Sequence, residues 1–179
     1  VTKTPLPMGW TGLRGWLPVG LALGLLAGCG YYSFTGAAIP SHLNTIAIPL
    51  AEDNSLSTVT GLDETLTQFL VERFVNQTRL SLEPGEADAD AVLQARIQRY
   101  QNAPTSVSGD EVATRNRVTL TVAVVYTDQV NDAVLLERTF TGFGEYDPVA
   151  EGLDGERVAA VTALEDIADD IFTAATSNW

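Results

Sequence analysis

The chain is nearly devoid of the residue types that most often carry chemistry. Among its 179 residues, His42, Cys29 and Lys3 are each the only one of their kind. A single histidine and a single cysteine cannot build a His/Cys metal cluster, and any Ser-His-Asp relay would have to run through His42. That residue sits ahead of the first strand pattern and reads as a lone surface imidazole. One cysteine also forms no intramolecular disulfide. Positive charge is scarce: ten Lys and Arg face 23 Asp and Glu, for a formal net charge of −13. This counts against nucleic acid, whose phosphates demand clustered cations, and it opposes approach to anionic lipid. An acidic surface of this kind stays soluble in strong salt, where a short Debye length weakens self-repulsion. No glycine-rich phosphate loop follows a strand, and there is no internal repeat or low-complexity tract. Two carboxylate pairs, Asp88/Asp90 and Asp169/Asp170, fall in a loop and on the polar side of a helical pattern, where solvation accounts for both. No catalytic residue and no metal ligand emerges, and an enzyme is the least favoured class.

What is present begins with an apolar run from Trp16 to Ala27, preceded by Arg14. Its length suits a secretory h-region and falls short of the roughly 20 residues needed to span a bilayer. The run ends in Leu26-Ala27-Gly28-Cys29, which resembles the lipobox of bacterial lipoproteins. That resemblance implies a diacylglycerol on the Cys29 thiol, cleavage ahead of it and an acyl chain on the new amine. Several acyl chains, at about 0.8 kcal/mol per buried methylene, hold a protein on a membrane where one does not. Gly30 rather than an aspartate follows the cysteine, which favours the outer membrane. Loss of residues 1–28 would remove Lys3, Arg14 and no acid, leaving 151 residues, a net charge of −15 and arginine as the only strongly basic side chain. Val1 and Met8 both stand as start sites.

Residues 29–43 read as a lipidated tether, with Tyr31, Tyr32 and Phe34 ahead of a Gly36/Pro40 break. Residues 44–179 read as one domain. Ile46, Ile48 and Leu50 alternate with polar or small neighbours as a strand, Pro49 marking its edge or exit. Glu52 to Thr60 is polar and turn-like. Thr60 and Asp63 are spaced as a capping box for a helix whose apolar face is Leu62, Leu66, Phe69, Leu70 and Phe74. A short strand at Leu80–Leu82, an acidic loop from Pro84 to Asp90 and a strand from Ala91 follow. In that strand Leu93, Ala95 and Ile97 face one way, and Gln94, Arg96 and Gln98 the other. A polar loop from Asn102 to Glu111 leads to the strongest strand, Val118 to Tyr126. Asn131-Asp132 then turns it back into Leu135 to Phe143. Val158, Val161, Leu164, Ala168 and Ile171 mark a second helix running nearly to Trp179.

The order β-α-β-β-β-β-α predicts an α+β two-layer sandwich: two helices on one mostly antiparallel sheet of four to five strands. The other sheet face, with Gln94, Arg96, Gln98, Thr119 and Thr121, is left wet or meets a partner. Arg96 and Arg99 at the end of one strand and Arg115 and Arg117 at the start of the next place four guanidiniums near one sheet end. They could bind an anionic group or pair with nearby acids.

The stretch Cys29-Gly30-Tyr31-Tyr32-Ser33-Phe34-Thr35-Gly36, with Ile39-Pro40 and Asn44-Thr45-Ile46-Ala47-Ile48, is similar to the mature start of the LPS-assembly lipoproteins of the LptE family, in the branch of Bacteroidetes-like bacteria. The similarity continues through Gln77-Thr78-Arg79-Leu80, Ala89-Asp90-Ala91-Val92-Leu93, Arg96-Ile97-Gln98-Arg99-Tyr100, Asn116-Arg117-Val118-Thr119 and Asp170-Ile171-Phe172 to Asn178-Trp179. It implies two helices on a four-stranded sheet. It also implies a non-enzymatic, cofactor-free plug that helps assemble the outer-membrane barrel LptD and engages lipopolysaccharide, facing the periplasm or the barrel lumen. The family's basic strand connection is replaced here by Ser108-Gly109-Asp110-Glu111, so Arg115 and Arg117 stand in as lipopolysaccharide contacts. A second resemblance, of Thr45-Ile46-Ala47-Ile48-Pro49-Leu50 with Asn54-Ser55 to TolB-amino-terminal and CsgG-like lipoproteins, implies regulation of an envelope synthase or a secretion oligomer.

Overall fold

The structure is a computed structural model that describes residues 39–105 and 115–177. Its elements are β1 (Thr45–Ala47), β2 (Glu52–Asp53), α1 (Leu62–Gln77), β3 (Ser81–Leu82), a 3-10 turn (Glu86–Asp88), β4 (Ala91–Pro104), β5 (Asn116–Asp128), β6 (Ala133–Tyr146) and α2 (Gly152–Thr176). The strands form one open sheet in the order β3-β1-β4-β5-β6, with β2 also paired to β4. The expected two helices and one sheet are there, with six strands in place of four or five. The sheet is mixed: β4, β5 and β6 make a long antiparallel meander, while β1, β2 and β3 add short parallel pairings.

Alternation explains the meander. Val118, Leu120, Val122, Val124 and Tyr126 of β5 are buried, as are Leu93, Ala95 and Ile97 of β4. β4 does not stop at Arg99 but runs on to Pro104, because Asn102 to Pro104 keep pairing with Asn116 to Val118. A bulge between Ile97 and Arg99 leaves Gln98 and Arg99 both exposed on the open side and turns Tyr100 towards the helices.

α1 buries Leu62, Leu66, Leu70 and Phe74, one residue per turn on a single stripe. Its start departs from the capping box. Gly61 occupies the cap position at φ 79, so Thr60 falls outside the reach of the helix amides, and no side chain caps the end. Thr65 answers the Gly61 carbonyl with both its amide and its hydroxyl, at 3.1 and 2.8 Å. α2 also differs from its expected stripe: Val158 is exposed and Val161 half-buried. Its contact face is Ala159, Ala160, Ala163 and Ala168 with Leu164, Ile167 and Ile171. β6 supplies the reason. A Cβ on Gly142 or Gly144 would run into the carbonyl oxygens of Ala163 and Ala159, so helix and strand meet backbone to backbone.

The two helices are joined by Arg73, which is ion-paired with Asp169 and bonded to the carbonyls of Phe69 and Glu165. Asp169 is therefore a partner in a helix–helix bridge and not merely solvated. Phe74 packs edge-on against Phe172, ring centres 5.4 Å apart. At the same end, Arg79 donates to the carbonyls of Leu43, Ile39 and Pro40, holding residues 39–43 against the domain with Leu43 fully buried.

Candidate functional site

The sheet face opposite the helices is the candidate site. Gln94, Arg96, Gln98, Arg99 and Gln101 reach it from β4, Arg117, Thr119 and Thr121 from β5, and Thr139, Thr141, Phe143 and Glu145 from β6. Alternation that fills the core from one face necessarily lays these polar groups on the other.

Its charges are largely paired. Arg96 Nε donates to Glu52 Oε2 at 2.6 Å. Arg117 grips Glu145 Oε1 through Nε and Nη2, at 3.0 and 2.6 Å, and lies over the Phe143 ring at 4.4 Å. Arg115 Nη1 stands 3.9 Å from the other Glu145 oxygen. Arg99 makes no ion pair among the described residues. All four guanidiniums follow the open side, but they do not converge. Arg96 lies opposite Ala123, and Arg117 is further along β5 itself. Those rows are six residues apart, roughly 20 Å at about 3.4 Å per residue. Arg96 and Arg99 are mid-sheet, whereas Arg115 and Arg117 are at the far end beside a shallow hollow of about 550 Å³ bordered by Gln101, Thr119 and Glu145. Glu52, Gln101, Thr139, Thr141, Phe143 and Glu145 are members that sequence reasoning did not single out. Cys29 and Ser108 to Glu111 lie outside the described residues.

Polar groups elsewhere hold the chain together. The His42 ring N–H donates to Asp128 Oδ2 at 2.6 Å, and Asp128 is 2% exposed. The Asn131 side chain and the amides of Val130 and Asn131 complete its shell. Burial pushes the Asp128 carboxyl up, yet the bonds from His42 and Asn131 together hold it below the usual carboxylate range. His42 is thus the partner of a buried acid. Asp90 accepts the amides of Asn44 and Thr45 at 2.7 and 3.1 Å, and the Asn44 amide chiefly depresses its pKa. Buried Glu156 of α2 accepts from Tyr100 at 2.5 Å and Thr58 at 3.0 Å; the Tyr100 bond chiefly holds it below the carboxylate range. Each of these carboxylates ties separate segments, and each has its donors. Among the described residues no His, Cys, Asp or Glu cluster could hold a metal ion, and no helix is long and apolar enough to cross a membrane.

Residues 43–175 match the family described as LptE, Lipopolysaccharide-assembly. The chain belongs to the LptE family. No curated protein matches it. Solved structures show the same fold at low identity. An uncharacterised lipoprotein B from Nitrosomonas europaea is 14% identical with a TM-score of 0.52, covering 79% of this LptE-family chain and 86% of its own. A protein from Xanthomonas campestris is 12% identical with a TM-score of 0.52, covering 76% of this chain and 87% of its own. A hypothetical protein from Chlamydia trachomatis is 11% identical with a TM-score of 0.51, over 76% and 99% respectively. The family is that of lipopolysaccharide assembly, and the solved structures share the fold.

Proposed function

We propose that this chain is an outer-membrane lipoprotein, anchored through acyl chains on Cys29, that plugs and helps assemble an LptD-like β-barrel carrying lipopolysaccharide to the cell surface. The observation that carries this reading is the family match across residues 43–175. The geometry supports it. One face of the sheet is closed by two helices, while the other is broad, polar and uncovered among the described residues, which suits the polar interior of a barrel. The domain brings no enzymatic step to that task. A tagged chain recovered from outer membranes brings down a large β-barrel in about equal amount, and its depletion lowers surface lipopolysaccharide. Recovery of an envelope synthase or a homo-oligomeric ring instead overturns the reading. Cys29→Ser mislocalises the protein without unfolding it.

The lipopolysaccharide contact is assigned within the same proposal to Arg96, Arg99, Arg115 and Arg117. Arg99, without an ion pair, and Arg115, only loosely paired, keep the most capacity for an anionic headgroup. Charge reversal of Arg115 and Arg117 weakens lipopolysaccharide binding and leaves the barrel complex intact; unchanged binding removes this assignment.

A further inference from the structure

The two edges of the sheet are unlike. On one side, β3 and β2 are two residues each, too short to template another strand, and the stretch of β4 left open beyond them, Gln98–Pro104, begins at a bulge and ends in proline. On the other, β6 runs for fourteen residues, and among the described residues its main chain bonds only to β5. Of the usual protections of an edge it has charged side chains, Glu137, Arg138 and Glu145, but no proline. Its one irregularity falls next to the hairpin, beyond which Leu136 to Tyr146 pair with β5 without interruption. A regular edge left open in this way offers a ladder of unpaired amides and carbonyls.

Carboxylates flank this edge on both sides. Glu137 and Glu145 lie on its open-face side. On the helix side the Ala163 carbonyl sits against Gly142, and Asp166 and Asp170 follow Ala163 along the same stripe of α2. Glu137, Asp166 and Asp170 are exposed and make no ion pair among the described residues. The strand's only cation, Arg138, is stacked on Phe140 at 5.2 Å. A second copy suits this edge poorly: antiparallel pairing of two β6 strands centred on Thr141 sets Glu137 against Glu145 of the copy, a like-charge pair.

We propose that the free edge of β6 takes an added strand, an extended segment of the barrel partner that carries Arg or Lys on both of its faces. This rests on the barrel reading above and names how the partner docks. Backbone bonds supply the ladder, and the acids without ion pairs, Glu137 on one face and Asp166 and Asp170 on the other, select for positive side chains.

Amide hydrogen exchange tests it on the full lipidated chain, alone and in the complex purified from outer membranes. Amides of Leu136 to Tyr146 should exchange at least about tenfold more slowly in the complex. Glu137→Lys with Asp170→Lys, two groups without ion-pair partners, should cut barrel recovery by about tenfold while the circular dichroism spectrum is unchanged. A complex in which β6 exchange is unaltered overturns the edge proposal and leaves the barrel reading standing. Protected β6 amides with undiminished recovery of the double variant remove the charge selection. Absence of any barrel from the purified material overturns both readings together.

Discussion

The two faces of the sheet are built from alternating residues of the same strands, yet they obey opposite constraints. On the covered face, glycines of β6 let the carbonyls of α2 come within contact of the strand, and alanines fill what remains. On the open face, Arg96 and Arg117 pair with Glu52 and Glu145 in solvent, with Thr, Gln and Arg99 among the residues between them. The first is a fit of shapes with little room for change; the second is a set of exposed ion pairs that bring little stability individually. Stability therefore belongs to one face, and the other is free to serve recognition.

The sharpest test of that contrast is Gly144→Val, which should destabilise the domain by about 3 kcal/mol in urea unfolding because neither backbone can retreat. A cost below about 1 kcal/mol would mean that α2 can slide, and the contrast between faces would be lost. Arg73→Met, which keeps the apolar stem and removes the pair with Asp169, should cost about 1 kcal/mol. The hydrogen bond from Arg73 holds the Asp169 carboxyl below its usual range. A depressed carboxylate contributes stability that is present above the ordinary pKa and disappears as pH falls through the folded value. Unfolding followed from neutral to acid pH should thus show a shallower loss in the variant.

Tyr126→Phe probes the driest polar atom. The Tyr126 hydroxyl is buried without a hydrogen-bond partner, and burial, with Asp128 nearby, raises its pKa to about 12. Removing it should leave stability unchanged or raise it by up to about 1 kcal/mol. Because the folded pKa is raised, the wild-type contribution is present below the ordinary tyrosine pKa near ~10 and lost as pH rises through the folded value. The variant should lose that alkaline dependence. Smallest of all, Thr121→Lys on the open face should change stability by less than about 0.5 kcal/mol, and a larger loss would show that this face bears load as well.

Much of this was legible where a single rule governed the residues. Period-two alternation located β4 and β5 and told their faces apart, since burial of one side is what selects it. The rest depended on backbone events with no side-chain signature. β2 is two exposed acids whose pairing with β4 is made by main-chain groups. Of the stripe expected for α2, Leu164, Ala168 and Ile171 are buried, whereas Val158 and Val161 give way to alanines, which the glycines opposite favour at the contact. Alternation puts Arg96 on the open face, but Arg99, three residues on, joins it only because of the bulge, and the four arginines expected near one sheet end are spread along the sheet. The same limit hid Glu145. Counted back from the turn, where Thr127 pairs with Val134, Arg117 would meet Gly144; the shift between Tyr126 and Thr127 moves it to Glu145.

Arg79 gives the domain a mechanical property. Among the described residues, a pull that reaches Ile39 first meets one guanidinium holding three carbonyls, and beside it the His42–Asp128 contact. Only past these does force reach β1, which is bonded to β3 on one side and β4 on the other. Tension there acts along the strand, so its bonds share the load and do not open one at a time. The protein is reinforced at the point where a lipid anchor would tug on it.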